Sequence, residues 1–196
     1  MIDASDKMTR LMTRRGFVIA GGAAAAMIAF RLRYEVESVA AKNSAPKDVK
    51  IVKFSDGGQR QDVATLPLVV KTEAEWRQQL SPIAFEVTRH AGTERAYSGE
   101  YWNLHDKGLY RCICCDTALF SSDTKFESGT GWPSFWQPIA KENVHEGGDL
   151  SLGMMRTAVS CRLCEAHLGH VFDDGPKPTG LRYCMNSVAL RFVKSA

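Results

Sequence analysis

The segment Cys112-Ile113-Cys114-Cys115 carries a C-x-x-C motif, and Cys161-Arg162-Leu163-Cys164 carries a second one after an interval of 45 residues. Two such motifs supply four thiolates, the ligand set that zinc prefers in structural sites with tetrahedral geometry. The long interval predicts a metal that joins two distant segments of one domain, unlike the compact ribbon of a small zinc finger. We therefore expect one structural Zn²⁺ per chain.

The same cysteines allow two other arrangements. Cys161, Cys164, His167 and His170 lie at intervals of three residues and could form a local site, which would leave the first motif without a metal. Alternatively, one or both pairs could be disulfides if the mature protein works in an oxidising compartment. The number and spacing of the ligands favour the site with four cysteines, and Cys114 is then a surplus cysteine within the first motif.

Composition limits the classes of protein to which the chain can belong. Its 196 residues, 44% hydrophobic and 24% charged, suit one globular domain with additional segments. The net charge of +3 comes from 25 basic and 22 acidic residues, and no long basic run is present. Charge therefore gives no support to nucleic-acid binding.

Local patterns predict a mainly β fold with two antiparallel sheets and short N-terminal helices. A capping box that begins at Thr72 predicts a helix through Leu80, and Pro82 at a first helical position predicts a second helix that ends near Gly92. From Leu109 onward, short apolar segments alternate with Gly, Pro, Ser and Asp clusters, which is typical of strands and loops.

A β-hairpin is predicted ahead of the helices. Val49–Phe54 and Gln61–Leu66 are the two strands, and Ser55-Asp56-Gly57-Gly58 is the turn. A polar stretch that includes a proline precedes the hairpin and indicates a linker. The sequence thus divides into an export signal or anchor, a linker with a hairpin, and the main domain, at residues 1–41, 42–71 and 72–196.

The N-terminus resembles a twin-arginine export signal. Arg14 and Arg15 precede the uncharged apolar run 17–30, which is shorter than the ~20 residues that a membrane-spanning helix needs. We expect export to the periplasm or cell envelope, with membrane contact only through this segment if it stays uncleaved. The alternatives are an uncleaved anchor and an apolar helix packed on the domain.

Three further segments, together with the cysteine motifs and in this order, resemble the methionine-R-sulfoxide reductase family. They are Gly129-Thr130-Gly131-Trp132-Pro133-Ser134-Phe135, His167-Leu168-Gly169-His170-Val171-Phe172 and Arg182-Tyr183-Cys184-Met185-Asn186-Ser187. The resemblance extends from about Thr72 to Val193. It implies a reductase domain at 72–196 that reduces methionine-R-sulfoxide in oxidised proteins or peptides, with a thioredoxin-like or other thiol reductant as partner.

Cys184 is the nucleophile that the resemblance implies. In the family this position attacks the sulfoxide sulfur, releases methionine and is left as a sulfenic acid. Because the thiolate is the reactive form of cysteine, a cation such as Arg182 would favour the reaction. A single Cys between Tyr and Met would otherwise be read as a buried core residue.

The other catalytic roles come from the same motifs. His170 matches a histidine that donates a proton to the departing oxygen, and His167 matches its support. Asp174 would orient the ring of His170 or bind water, although Asp173 lies beside it. Asn186 would hold the nucleophile or the sulfoxide oxygen. Without the resemblance, these would be backbone-bonded histidines and a turn asparagine.

Trp132 and Phe135 are the predicted substrate-binding residues. An indole face suits the methyl group on the sulfoxide sulfur. The alternative is that this Gly-Trp-Pro-Ser-Phe segment is a tight turn whose aromatic residues fill the core.

Thr130 occupies the position where many family members carry a second, resolving cysteine. That cysteine would form a disulfide with the oxidised nucleophile, which a thiol donor then reduces. Here either Cys114 replaces it or an external thiol attacks the sulfenic acid, and we favour the external thiol. A binding module stabilised by zinc and a redox sensor that uses Cys184 are the rival functions.

Overall fold

Antiparallel strands make up most of the computed structural model, which describes residues 47–150 and 155–195. The predicted export signal at 1–41 lies outside these residues. In chain order the strands are β1 (Asp48–Phe54), β2 (Arg60–Pro67), β3 (Gly108–Cys112), β4 (Ala118–Ser121), β5 (Lys125–Phe126), β6 (Ser134–Phe135), β7 (Val144–Asp149), β8 (Arg156–Cys161), β9 (His167–Phe172), β10 (Arg182–Met185) and β11 (Leu190–Lys194).

Both predicted helices are present, as α1 (Glu73–Gln79) and α2 (Pro82–His90). Thr72 and Glu75 form the expected capping box, in which each side chain accepts a hydrogen bond from the backbone N–H of the other residue. The second helix ends at Ala91, which adopts the left-handed conformation with φ of 54°. Its buried face packs against β9.

The strands form two main antiparallel sheets. One has six strands in the order β5-β6-β10-β9-β8-β7, and the other has three in the order β11-β3-β4. The prediction of a mainly β protein with two antiparallel sheets and a few short helices is therefore confirmed.

Aromatic side chains fill the space between these sheets. Tyr110 on β3 and Phe120 on β4 both contact Phe135 on β6, with ring centroids 4.9 Å and 4.5 Å apart. All three rings are fully buried. Because large aromatic rings bury much apolar area, this cluster fixes β6, and with it the preceding loop, against the smaller sheet.

The predicted hairpin is also confirmed, as the pair β1-β2. Ile51 and Val52 on β1 are buried in the same unit as the sheets, which runs from Pro46 to Ala196. The side chain of Asn143, itself completely buried, accepts a hydrogen bond from the backbone N–H of Val52 and donates to its carbonyl. The hairpin is thus packed on the domain, although the sequence grouped it with the linker.

Within the described ranges, no helix has the length and hydrophobicity that crossing a membrane requires. The apolar run 17–30 is not part of those ranges.

Candidate active site and metal centre

Cys184 lies at the centre of the larger sheet, where three strands meet. Its register partners are His170 on β9 and Ser134 on β6. Side chains opposite each other in adjacent strands point to the same face. The close approach of β9 to β10 requires glycine at 169, since a Cβ there would lie 2.1 Å from the carbonyl oxygen of Cys184.

A cavity of about 140 Å³ opens beside the Cys184 sulfur. Trp132, His170 and Cys184, predicted from three separate motifs, all line it. Phe172 and Met185 contribute further apolar surface. One small, partly apolar site therefore combines a thiol, an imidazole and an indole.

The indole of Trp132 is held by a hydrogen bond from its Nε1–H to the carbonyl oxygen of Glu94, at 3.2 Å. This bond fixes the ring plane that faces the cavity. The prediction that Phe135 also contacts substrate is wrong, because Phe135 is fully buried and stacks on Phe120 in the core. Of the two aromatic residues in this motif, Trp132 lies in the loop before β6 and lines the cavity, whereas Phe135 lies on β6 and packs into the core.

Opposing effects act on the thiol of Cys184. Burial raises its pKa above the ordinary value, while the Thr130 hydroxyl, the charge of Arg182 and the Ser134 hydroxyl act in the opposite direction. Arg182 thus favours the thiolate, as expected from sequence, but burial outweighs it. The thiol is mostly protonated at neutral pH in the absence of substrate.

Arg182 forms a two-pronged ion pair with Asp174. Its Nε and Nη2 donate to the two carboxylate oxygens, both at 2.8 Å. The hydrogen bond from Arg182 lowers the pKa of Asp174. Asp174 therefore orients the arginine, and the carboxylate at His170 Nε2 is that of another residue. Its other predicted role, the binding of water, stays a prediction.

The carboxylate that binds His170 belongs to Asp149, which none of the sequence motifs indicates. His170 Nε2 lies 2.8 Å from Asp149 Oδ2, and Arg156 Nη2 lies 2.9 Å from the same oxygen. Asp149 and Arg156 are register partners in the β7-β8 hairpin. The only signal in the sequence was the pair of opposite charges at Asp149 and Arg156, seven residues apart. This pair indicates a contact only once the strand register is known.

His167 is buried beside His170, with ring centroids 5.2 Å apart. Its Nε2 has no hydrogen-bond partner within the described part of the chain. Burial, followed by the charge of His170, lowers the pKa of His167 to about 4. The ring of His167 is consequently neutral near pH 7.

Asn186 borders the cavity, but its amide is committed to the backbone. Its Oδ1 accepts from the N–H of Glu94 at 2.9 Å, and its Nδ2 donates to the carbonyl of Leu168 at 3.0 Å. The buried Glu94 carboxylate, also missed from sequence, accepts from the N–H groups of Ser187 and Val188. Asn186 and Glu94 therefore position the segment that follows Cys184; the predicted hydrogen bond from Asn186 to the nucleophile is not present.

The two C-x-x-C motifs converge at a separate place. Ligand atoms of Cys112, Cys115, Cys161 and Cys164 all lie within 4.8 Å of one another. The Cys112–Cys164 and Cys115–Cys161 sulfur separations are 3.6 Å and 3.5 Å. A tetrahedron with metal–sulfur bonds of about 2.3 Å has edges of roughly 3.8 Å, so the cluster fits one metal ion.

The rival arrangements of these cysteines do not match the structure. The sulfur separations are far above the roughly 2.05 Å of a disulfide, and all six cysteines are free thiols. His170 is bonded to Asp149 and is not part of the cluster. Cys114 lies outside the four-ligand group and is buried, which restricts its access to an oxidised Cys184.

Comparison with known proteins agrees with this geometry. The SelR domain matches residues 80–194. The peptide methionine sulfoxide reductase MsrB of Herminiimonas arsenicoxydans is 57% identical over 124 residues, which cover 63% of this chain and 90% of that protein. The chloroplastic peptide methionine sulfoxide reductase B1 of Arabidopsis thaliana is 49% identical over 161 residues, covering 82% of this chain and 75% of the relative.

The match to the SelR domain spans well over half of the chain and includes both cysteine motifs, the tryptophan loop and Cys184. Together with the extent of the similarity to these reductases, it shows that this chain belongs to the SelR domain family.

Proposed function

We propose that this protein is a peptide-methionine (R)-S-oxide reductase, which reduces methionine-R-sulfoxide in oxidised proteins or peptides to methionine. The observation that carries the proposal is the single cavity in which Cys184, His170 and Trp132 meet. Family membership and the names of the relatives support the substrate class and the R configuration.

The cavity suits the end of a methionine sulfoxide side chain. Trp132, Phe172 and Met185 offer apolar surface to the methyl group, and aromatic rings pack well against such groups. The sulfoxide oxygen is then directed toward His170. Substrate binding excludes water and brings the sulfoxide sulfur against the thiol.

The chemical step transfers one oxygen atom. The Cys184 sulfur attacks the sulfoxide sulfur and forms an S–S bond. The oxygen then passes to the Cys184 sulfur as the substrate S–O bond and the new S–S bond both break, which leaves Cys184 as a sulfenic acid and releases methionine. Methionine sulfoxide gains two electrons and the cysteine loses two. His170, supported by Asp149, supplies a proton to the oxygen as it leaves, and the thiol proton replaces it.

An external thiol completes the cycle. It attacks the sulfenic acid, releases water and forms a mixed disulfide, which a second thiol reduces to regenerate the Cys184 thiol. Two features support an external reductant, namely the hydroxyl of Thr130 at the resolving position and the burial of Cys114.

The metal held by the four cysteines is structural Zn²⁺. The all-sulfur donor set and the tetrahedral spacing support this choice, since zinc is bound in this way in closed structural sites. Zinc cross-links the two segments that carry its cysteine ligands, and no step of the reduction involves it.

The enzyme is exported through a twin-arginine signal at residues 1–41, to the periplasm or cell envelope. The paired arginines and the apolar run 17–30 support this proposal. A route that carries folded proteins suits a domain whose metal site does not exist in the unfolded chain.

Turnover of a blocked methionine-R-sulfoxide with dithiothreitol tests the function. We expect the parent protein to reduce the R but not the S epimer, and Cys184→Ser to lose all turnover with an unchanged metal content. Cys114→Ser is the matched control and retains activity. A binding module would show no turnover in any variant, and a redox sensor would oxidise at Cys184 without repeated turnover.

A further inference from the structure

Three hydroxyl groups form a continuous chain that ends at the Cys184 sulfur. Ser134 Oγ lies 2.8 Å from Ser128 Oγ, and Ser128 Oγ lies 2.8 Å from Thr130 Oγ1. Thr130 Oγ1 is 3.9 Å from Cys184 Sγ, at the long end for a hydrogen bond to sulfur. At the far end, Ser134 Oγ donates to the carbonyl oxygen of Trp132 at 3.3 Å.

Each hydroxyl has one proton to donate and can accept through its lone pairs. Hydrogen bonds along the chain can therefore all be donated toward Cys184 or all be donated away from it. In the thiol state, Cys184 donates to Thr130, Thr130 to Ser128, Ser128 to Ser134, and Ser134 to the Trp132 carbonyl. Every donor then has an acceptor. This direction belongs to the protonated form of the nucleophile.

Ionisation of Cys184 favours the opposite direction. Ser134 then donates to Ser128, Ser128 to Thr130, and Thr130 to the thiolate. Only rotations of the three hydroxyls are needed, and the one bond given up is the weak one from Ser134 to the Trp132 carbonyl, at 3.3 Å. A hydrogen bond to a charged acceptor is also shorter and stronger than one to a neutral thiol, so the 3.9 Å contact tightens on ionisation.

We propose that Thr130 donates a hydrogen bond to the Cys184 thiolate, and that Ser128 and Ser134 are positioning residues that orient its hydroxyl through this reversible chain. The same hydroxyl faces the sulfenic acid oxygen that forms on Cys184 during the proposed reduction, and in this respect the inference rests on the proposed function. The hydrogen bond from Thr130 thereby offsets part of the free-energy cost of holding the Cys184 thiolate in a buried site.

Other charged groups that face Cys184 remain in place when this chain is altered. Arg182, paired with Asp174, lies two residues away on β10, and His170, bonded to Asp149, lies opposite on β9. Neither pair contacts the three hydroxyls through any hydrogen bond in the described part of the chain. Substitutions that remove these hydroxyls therefore test the hydrogen-bond chain without altering either ion pair.

The rate of alkylation of Cys184 by iodoacetamide, followed by mass spectrometry of its peptide across pH 6–10, measures the thiolate population without any sulfoxide turnover. We expect Thr130→Val, which keeps the shape but removes the hydroxyl, to slow alkylation at pH 7 about fivefold and to move the pH profile toward alkaline pH. Ser128→Ala should shift it in the same direction by less.

Thr130→Ser is the conservative rescue and should recover most of the rate lost in Thr130→Val. Thr65→Val, an exposed position on the hairpin, is the matched control for the same change of side chain. Parental alkylation rates at every pH in both Thr130→Val and Ser128→Ala would overturn the proposal. A shifted profile in a protein that never reduces sulfoxide would instead uphold this inference while the proposed enzymatic function fails.

Discussion

At the scale of single residues, the proposed proton donor and the proposed nucleophile have different surroundings. Burial keeps the Cys184 thiol and the His167 ring in their neutral forms. The ring of His170 has the carboxylate of Asp149 at hydrogen-bond distance. A carboxylate bonded to one ring nitrogen fixes the orientation of the imidazole.

Asp149→Asn tests this role. Asparagine keeps the size of the side chain but removes the negative charge, so we expect kcat for sulfoxide reduction to fall about 10²-fold, within the range that a positioned proton donor contributes. Steady-state kinetics at saturating thiol measure the change. His170→Asn should lose at least as much, and combining the two should add little, because they act through one group.

The matched control is Asp123→Asn, which alters an exposed carboxylate paired with Lys107 and should leave kcat at the parental value. If Asp149→Asn retained parental kcat, the proton donor would lie elsewhere in the cavity.

At the scale of structural elements, one buried side chain helps to attach the hairpin β1-β2 to the rest of the domain. Asn143 bonds to both backbone groups of Val52, and its Nδ2 also donates to the carbonyl of Ala118 at 2.7 Å. It thus joins β1 to β4 from the short 3-10 turn Lys141–Asn143. The hairpin strands were predictable from their alternation and turn residues, but this attachment joins residues 91 positions apart.

We expect Asn143→Ala to lower the free energy of unfolding by about 3 kcal/mol, because three buried backbone groups lose their partner. Urea unfolding followed by tryptophan fluorescence gives the value. Asn103→Ala, at an exposed position, is the control and should change stability by less than about 0.5 kcal/mol. Equal destabilisation by the two variants would show that the hairpin is not held through Asn143.

At the scale of the whole described domain, the four-cysteine cluster connects the two main sheets. Cys112 and Cys115 lie at the turn between β3 and β4 of the smaller sheet, whereas Cys161 and Cys164 lie at the turn between β8 and β9 of the larger one. A metal at this point therefore cross-links both layers around the aromatic core. Cys184 lies on β10, beyond β9, and is outside the cluster.

Removal of the metal should consequently destabilise the domain as a unit. With a chelator present, we expect Tm to fall by about 10 °C or more, since each kcal/mol corresponds to roughly 2–4 °C in a domain of this size. Calorimetry with and without chelator, combined with metal analysis, measures this. Cys161→Ser should have the low Tm without chelator, whereas Cys114→Ser should keep one metal per chain. An unchanged Tm after complete loss of metal would contradict the cross-link.

Several features of this protein followed from the sequence alone. The helix caps, the hairpin, the mainly β class and the four clustered cysteines depend on residue type and on spacing over a few positions, which short-range geometry governs. The motif containing Trp132 and Phe135 likewise indicated an aromatic wall, but not which ring would form it.

Tertiary structure alone decided the partners of the charged groups and the direction of the aromatic ones. Asp149 instead of Asp174 meets His170, and Phe135 turns into the core, because strand register sets which side chains are neighbours and which face they occupy. Register results from packing of the whole domain. A one-residue shift would exchange the two faces while leaving every local motif intact.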